Sequence, residues 1–230
     1  MVLPAKSIYE RICDAVALRS NEQYTEAYQL FDNLAKDIPS DPFFRQQMAL
    51  CIYKQRPLNM DTLDKALSIL APLSDTIDPE TNGLTGAIYK RRFEFTQSQE
   101  DIDMAINSYK KAYHIYGDYY TGENYAFCLL LKRSISQDDK EKDELKIISI
   151  YIYREVYKNN KNFDVREINT EYEIWTLATL AACSVVLNNQ EDYKRYEGLF
   201  LSKATSMMKT SYQEQMGKLR KMLNSKATMR

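Results

Sequence analysis

Apolar side chains recur along the chain at steps of three and four residues, the spacing that keeps them on one face of an α-helix. One pattern occurs four times: a small residue, a large one four positions later, a medium one three later, and then a helix stop. Its small members are Ala27, Ala66, Ala105 and Ser149. A small side chain allows another backbone to approach closely, so each pattern predicts an amphipathic helix that crosses a neighbour there.

A second helix with its own small residue precedes each of these, and those small residues are Ala15, Ala49, Gly86 and Ala126. The repeating unit is therefore a helix pair. The predicted pairs are 7–41, 42–77, 78–117, 118–161 and 170–204, followed by a capping helix at 206–224. We predict an all-α, tetratricopeptide-like right-handed α-solenoid of about five helix pairs plus the cap, in which 1–230 form a single domain.

The interval between the two small residues of a pair lengthens along the chain. It is 12 in the first pair, the tetratricopeptide spacing, and then 17, 19 and 23. We interpret the excess as longer turns within pairs, at Lys54–Asp61, Glu94–Asp103 and Arg133–Glu144. Such turns lie along one edge of a solenoid, so the sequence predicts a loop fringe there, with the acidic run 137–144 as a solvated loop.

The composition agrees with an all-helical chain. Gly and Pro each occur six times in 230 residues, against averages of roughly 7% and 5%. Hydrophobic residues at 44% and charged residues at 27% are those of a folded globular protein. The net charge of −1 gives no overall field for nucleic acid or an anionic membrane, so we expect neither as a partner.

Targeting signals and cysteine frameworks are not evident in the sequence. Charged residues from Lys6 onward precede any apolar run at the N-terminus, and the uncharged run 174–190 is shorter than the roughly 20 residues of a membrane span. The four cysteines lie tens of residues apart, without the spacing of a disulfide framework or zinc site. We expect a cytoplasmic protein without metal or cofactor.

Signatures of catalysis are also missing. His114 is the only histidine, which excludes a multi-histidine metal site, and its position at a helix end has a simple dipole explanation. The sequence contains no phosphate-binding glycine loop and no nucleophile elbow. Carboxylate catalysis stays open, but nothing singles out any pair of the 32 acids. We predict that the protein is not an enzyme and has no small-molecule substrate.

Three blocks carry a family resemblance: DPETNGLTGAIYKRRF at 78–93, GDYYTGENYAFCLLL at 117–131, and YEIWTLATLAACSVVL from Tyr172. They resemble the TRAFs-binding domain of the apoptosis signal-regulating mitogen-activated kinase kinase kinases and its stand-alone bacterial relatives. In those kinases the domain is similar to a tetratricopeptide scaffold that gathers signalling partners. Kinase motifs are absent from this chain, so the resemblance implies an adaptor whose effector is a separate protein.

If the first helix of each pair lines a concave groove, the repeat register selects the residues that face a partner. They are Tyr9, Ile12, Val16, Arg19, Phe43, Gln46, Leu50, Tyr53, Lys54, Lys90, Arg91, Tyr120, Asn124 and Phe127. Aromatic surface edged by cations suits an extended or helical peptide with apolar anchors and carboxylates. Two plainer explanations stay open: cations are favoured at helix C-termini without a ligand, and tyrosines often serve the core.

The sequence thus favours a non-catalytic adaptor or scaffold that binds a protein partner through its groove, its loop edge or both, in a signalling or stress-response complex. An accessory subunit that regulates a separately encoded enzyme by contact through the fringe is the alternative. An RNA-binding helical array is a more distant one.

Overall fold

The computed structural model describes residues 6–162, 168 and 170–224, and this part of the chain forms eleven α-helices without a strand. The helices are α1 (Ile8–Ser20), α2 (Tyr24–Asp37), α3 (Pro42–Lys54), α4 (Met60–Leu70), α5 (Pro79–Thr96), α6 (Gln99–Tyr116), α7 (Tyr119–Ile135), α8 (Asp139–Asn160), α9 (Glu171–Val186), α10 (Gln190–Lys203) and α11 (Ser206–Asn224). A 3₁₀ turn, Ala71–Leu73, follows α4. The predicted all-α class is confirmed.

Side-chain caps explain where most helices begin. The residue before each of ten helices accepts a hydrogen bond from a free backbone N–H of the first turn, which stabilises a helix by about 1 kcal/mol. These caps are Ser7, Asp41, Asn59, Asp78, Ser98, Asp118, Asp138, Thr170, Asn189 and Thr205. Gly117 ends α6 with φ +66°, as the sequence predicts, and Asp118 starts α7 at the next residue.

The chain divides into two compact units, one ending at Ser108 and one beginning at Tyr109. Two clusters form much of the core of unit 1. The first cluster is Ala15, Ala27, Phe31, Leu34, Phe44, Met48 and Cys51, and the second is Ala49, Ile52, Leu63, Ala66, Leu70, Leu84 and Ile88. Successive helix pairs supply each cluster, so stacking of pairs buries the apolar faces that one pair leaves open.

Unit 1 also holds a partly buried ion-pair cluster that joins α5 to second helices. Arg92 donates from Nε to Asp101 Oδ1 at 2.9 Å and also contacts Asp64. Thr96 donates a hydroxyl hydrogen bond of 2.6 Å to the other oxygen of Asp101, which is buried. These bonds join α4, α5 and the start of α6.

Unit 2 is built on α7 and α9, whose central residues 121–130 and 176–184 are all buried. Helix α8 packs on α7, and α10 packs on α9. Helix α11 packs on both α7 and α9, and its Tyr212 ring lies 4.7 Å from that of Phe200 on α10. The predicted cap therefore reaches beyond the last helix pair to α7.

The predicted repeat register is confirmed at its small residues. Ala27, Ala66, Ala105 and Ser149 have no exposed surface, and neither have Ala15, Ala49 and Ala126 in the first helices. Ser149 donates its hydroxyl hydrogen to the Ala126 carbonyl at 2.8 Å, so here the small residues of the fourth pair touch directly.

The prediction that the turns widen progressively along the chain is wrong. The turns within pairs are 21–23, 55–59, 97–98, 136–138 and 187–189, so the second is the longest and the later ones are short again. In the third and fourth pairs the additional residues extend the helices instead, because most of the inserted residues are compatible with a helix. The acidic run is likewise helical: Asp138 caps α8, and its neighbours form the first turns, where negative charge favours the helix dipole.

Over the described ranges 6–162 and 170–224, the structure contains no helix that is both long enough and apolar enough to cross a membrane.

Candidate functional site

The first helices of unit 1 carry side chains in a shared register, which we call the first-helix face. It comprises Tyr9, Ile12, Val16 and Arg19 on α1, Phe43, Gln47, Leu50 and Lys54 on α3, and Glu80, Ala87, Arg91 and Glu94 on α5. Within each helix these residues follow one another at steps of three, four or seven, so they share one side of the helix.

Hydrogen bonds between helices fix the register of this face. Arg19 at the end of α1 donates to the side-chain carbonyl of Gln47 on α3. Gln46, one residue earlier, turns to α5 and donates to Asp78 Oδ2 at 2.8 Å and Thr81 Oγ1 at 2.9 Å. The two glutamines are buried, so both amides are held by partners rather than by water. Gln46 and Gln47 therefore link helices beneath the face, and neither amide is open to a partner; the predicted groove position of Gln46 is corrected.

A second polar group lies at the opposite ends of α3 and α5. Arg91 forms an ion pair with Glu94 one turn away, and the two side chains are half-buried. Burial by itself lowers the pKa of the Arg91 guanidinium, but the contacts with Tyr53 and Glu94 raise it overall. Tyr53 packs on the second core cluster, and this anchors the arginine. Lys90 is half-buried beside this group.

Glu80, at the start of α5, is an exposed acid near Arg19. Desolvation raises the pKa of its carboxyl, Asp78 adds to the increase and Arg19 opposes it. A carboxylate and a guanidinium thus lie near each other within reach of a ligand.

Apolar side chains fill the space between the two polar groups. Ile12, Val16 and Phe43 are half-buried against the first core cluster, and Leu50 packs against the second. At the ends of the face, Tyr9 is 75% exposed and Lys54 is also exposed. The arrangement combines rigid apolar contacts with charges at its margins, which is a combination suited to recognition of a polypeptide.

Unit 2 places its predicted groove residues differently. Tyr120 is exposed and its ring lies 6.1 Å from that of Tyr109, but Asn124 is buried and Phe127 is only 1% exposed. The prediction that Asn124 and Phe127 line an open groove is therefore wrong, because this part of their helix, α7, is enclosed within unit 2.

Helix α11 supplies part of this enclosure. Gln215 donates from Nε2 to both carboxylate oxygens of Glu123, at 2.9 Å each. Near the other end, Arg133 donates to the Met222 carbonyl at 3.5 Å. Helix α11 thus runs along α7 from its first turns to its last, so a partner has no free access to the α7 side that α11 covers.

Sequence reasoning missed Gln47, Glu80 and Glu94. Gln47 could have been found from its position four residues after Phe43 and three before Leu50, a helical spacing. Glu80 has the appearance of an ordinary acid in a first helical turn, and Glu94 was assigned to the predicted fringe. The proximity of Gln47 and Glu80 to Arg19 depends on the packing of separate helices, whereas Glu94 meets Arg91 within α5.

A metal site near this surface would require several ligands placed together, and a nucleophilic cysteine would require a thiol that ionises readily. Among residues 6–162, 168 and 170–224, no three histidine, cysteine or acidic side chains are placed to hold a metal ion. Burial raises the pKa of the nearby Cys51 thiol to about 11, with Arg19 opposing the shift, so this thiol is protonated at neutral pH and a poor nucleophile.

Comparison with known proteins identifies the fold. A family model described as Tetratricopeptide Repeats-Sensor matches residues 23–129, a little under half of the chain. A solved structure, that of a thermophilic tetratricopeptide-repeat protein of Thermus thermophilus, is similar with a TM-score of 0.61 and 12% sequence identity, over 91% of this chain and 99% of that one. No curated protein matches. The chain is therefore tetratricopeptide-like, as predicted, while the more specific TRAFs-binding resemblance stays a prediction.

Proposed function

Starting from a tetratricopeptide-like fold, we propose that the protein is a non-catalytic adaptor that holds a segment of a partner protein on the first-helix face of unit 1. The observation that carries the proposal is the composition of this face: half-buried apolar side chains are fixed on the core, and charged groups stand at its margins. Stacked helix pairs form extended surfaces that suit a polypeptide.

The partner segment is expected to be extended or helical, with apolar anchors and charges of both signs. Its anchors contact Ile12, Val16 and Leu50, where a large side chain displaces water from a preformed apolar surface. Arg19 and Glu80 orient the segment through paired charges. Exposed ion pairs contribute only about 0–1 kcal/mol each, so the charges set specificity and the apolar contacts set affinity.

The TRAFs-binding resemblance extends the proposal to a signalling or stress-response assembly in the cytoplasm, with an effector on a separate chain. The net charge of −1 supports a protein partner over RNA. The accessory-subunit alternative relied on a wide loop fringe, and turns of two to five residues offer little surface of that kind.

A pair of exposed substitutions tests the proposal. Tyr9→Ser combined with Lys54→Glu changes both ends of the face without altering the core. We expect partners captured from the native host by the wild-type chain to bind the double variant at least tenfold more weakly. Lys36→Glu on α2 is the matched control, because that lysine is exposed on a second helix and its ion pair with Asp32 is a surface contact.

Binding is measured by quantitative co-purification and then by titration with the isolated partner. Far-UV circular dichroism verifies that each variant is folded. Equal binding by the double variant and the Lys36→Glu control would exclude the first-helix face as the binding surface. A captured partner that is RNA, shown by nuclease sensitivity and steep salt dependence, would contradict the adaptor function itself.

A further inference from the structure

Helix α8 of unit 2 carries an exposed apolar stripe that the proposed function does not use. Ile147 is 67% exposed and Tyr151 is 56% exposed, and Ile148 lies between them, also exposed. The opposite side of α8 is the one that packs on α7, through the buried residues Leu145, Ser149, Ile152, Tyr153 and Val156. Three large apolar side chains therefore point away from the core on two adjacent turns.

Charge is distributed unevenly along the same helix. The segment Asp138–Glu144 contains five acidic and two basic residues, whereas the segment Arg154–Lys161 contains three basic and one acidic. The two ends of α8 are thus complementary to each other in sign. A second α8 that packs antiparallel brings the acidic end of each copy beside the basic end of the other.

The positions of the exposed side chains are symmetric about Ser149. Ile147 and Tyr151 lie two residues before and after it, and Glu144 and Arg154 lie five before and after it. These four residues follow one another at steps of three or four, so they lie on one face with Ile148. We call these five residues the α8 stripe.

We propose that the α8 stripe is a homodimer interface, in which α8 packs antiparallel on α8 of a second copy about a two-fold axis near Ser149. Ile147 of each chain then faces Tyr151 of the other, and Glu144 of each chain faces Arg154 of the other. A two-fold interface requires a self-complementary patch, and the α8 stripe meets this requirement in its apolar contacts and in the pairing of Glu144 with Arg154.

The charged residues at its ends are available for such contacts. Among the described residues Arg154 has no ion-pair partner, and both Arg154 and Glu144 are exposed. Glu144 lies 3.9 Å from Lys140 within its own helix, a long and exposed pair that a guanidinium of the second copy can replace. The interface therefore gains two ion pairs without breaking a buried one.

The stripe spans about 15 Å from Glu144 to Arg154, at roughly 1.5 Å per residue. A contact of this length buries less surface than the roughly 800 Å² that each partner buries in a stable interface, so we expect a reversible dimer of micromolar affinity. Such a dimer would let one adaptor molecule hold two partners, but the inference does not depend on the first-helix face.

A charge-reversal experiment tests the symmetry directly. Sedimentation velocity over a concentration series should show a reversible monomer–dimer equilibrium for the wild-type chain. Glu144→Arg places like charges opposite one another at both ends of the homodimer, and so does Arg154→Glu. Each single variant should dimerise at least tenfold more weakly. An equimolar mixture of the two should regain near-wild-type affinity, because every Arg–Arg or Glu–Glu contact becomes an Arg–Glu contact.

An apolar substitution supplies a second readout. Tyr151→Ser should weaken dimerisation at least tenfold, whereas Ile77→Ser, at a 59% exposed position in unit 1, should leave it unchanged. Both positions are exposed, so folding should persist and is checked by circular dichroism. A wild-type chain that stays monomeric at high micromolar concentration overturns the proposal. So does a dimer whose affinity responds equally to both serine variants, or a mixture of charge variants that fails to recover.

Discussion

Gly122 is the position at which a single methyl group should have the largest effect in unit 2. It lies in α7, where a Cβ atom would be 2.6 Å from Tyr113 Cε2, 2.6 Å from Val156 Cγ2 and 2.7 Å from Tyr113 Cδ2. The first contact is with α6 and the second with α8, so Gly122→Ala must push two neighbouring helices or their side chains outward.

Neither neighbour can yield easily. Val156 is buried in the core of unit 2, and the Tyr113 ring is packed beside His114 and Tyr125. Overpacking of this kind costs about 1–3 kcal/mol, while the higher helix propensity of alanine returns up to about 1 kcal/mol. We expect Gly122→Ala to reduce the free energy of unfolding by roughly 1–2 kcal/mol.

The chain provides two matched controls. Gly198 in α10 and Gly217 in α11 have no atom within 4 Å of the position of an added Cβ. Gly198→Ala and Gly217→Ala should therefore stabilise by about 0.5–1 kcal/mol through helix propensity alone. The same glycine-to-alanine substitution thus lowers the free energy of unfolding at Gly122 and raises it at Gly198 and Gly217.

Thermal and urea unfolding, followed by circular dichroism at 222 nm, measures all three variants. Because the chain has two compact units, the midpoint of each resolved transition is compared instead of assuming a single two-state step. One kcal/mol corresponds to about 2–8 °C in midpoint for domains of this size range. A Gly122→Ala variant as stable as Gly198→Ala would refute the close approach of α6, α7 and α8.

Two further predictions concern unit 1. Asp101→Asn should lower the free energy of unfolding by about 1–3 kcal/mol, because it removes a buried carboxylate that accepts a hydrogen bond from the Arg92 guanidinium. Asp64→Asn should change the free energy of unfolding by less than about 1 kcal/mol, since that carboxylate is largely solvated. Equal effects of the two variants in urea unfolding would contradict the assigned burial. Cys13 is exposed and should react with a thiol reagent at pH 8 within minutes. Cys51 should react only on unfolding, because it is buried and burial raises the pKa of its thiol to about 11. Peptide mass mapping identifies the labelled cysteines, and rapid labelling of Cys51 in the folded protein would contradict the prediction.

The helix pairs could be predicted because their signal is local. The steric need for a small side chain at a helix crossing recurs at fixed steps, so Ala49 and Ala105 were assigned to the core and are fully buried there. The lengths of the turns could not be obtained in the same way. An interval counts residues but does not record whether they continue a helix, and α5 runs to Thr96 where a loop was expected from Glu94.

The candidate site was predicted in part. Arg19, Leu50 and Arg91 lie on the first-helix face, because periodicity alone places them on the same side of their helices. The partners Gln47 and Glu80 were missed, since the hydrogen bond of Arg19 to Gln47 and its charge interaction with Glu80 join separate helices. Sequence spacing describes one helix at a time, whereas a binding surface requires several.

By itself, the sequence determined that the chain is helical, where its helices pair and which side of each faces the core, because these properties follow from intervals of three and four residues. Only the tertiary structure decided which first helices stay accessible. Gln215 meets Glu123 across 92 positions of the chain, and no local pattern encodes that contact. The physical reason is that burial belongs to the packed assembly of helices: α11 covers part of α7, while α1 and α3 keep a half-exposed face.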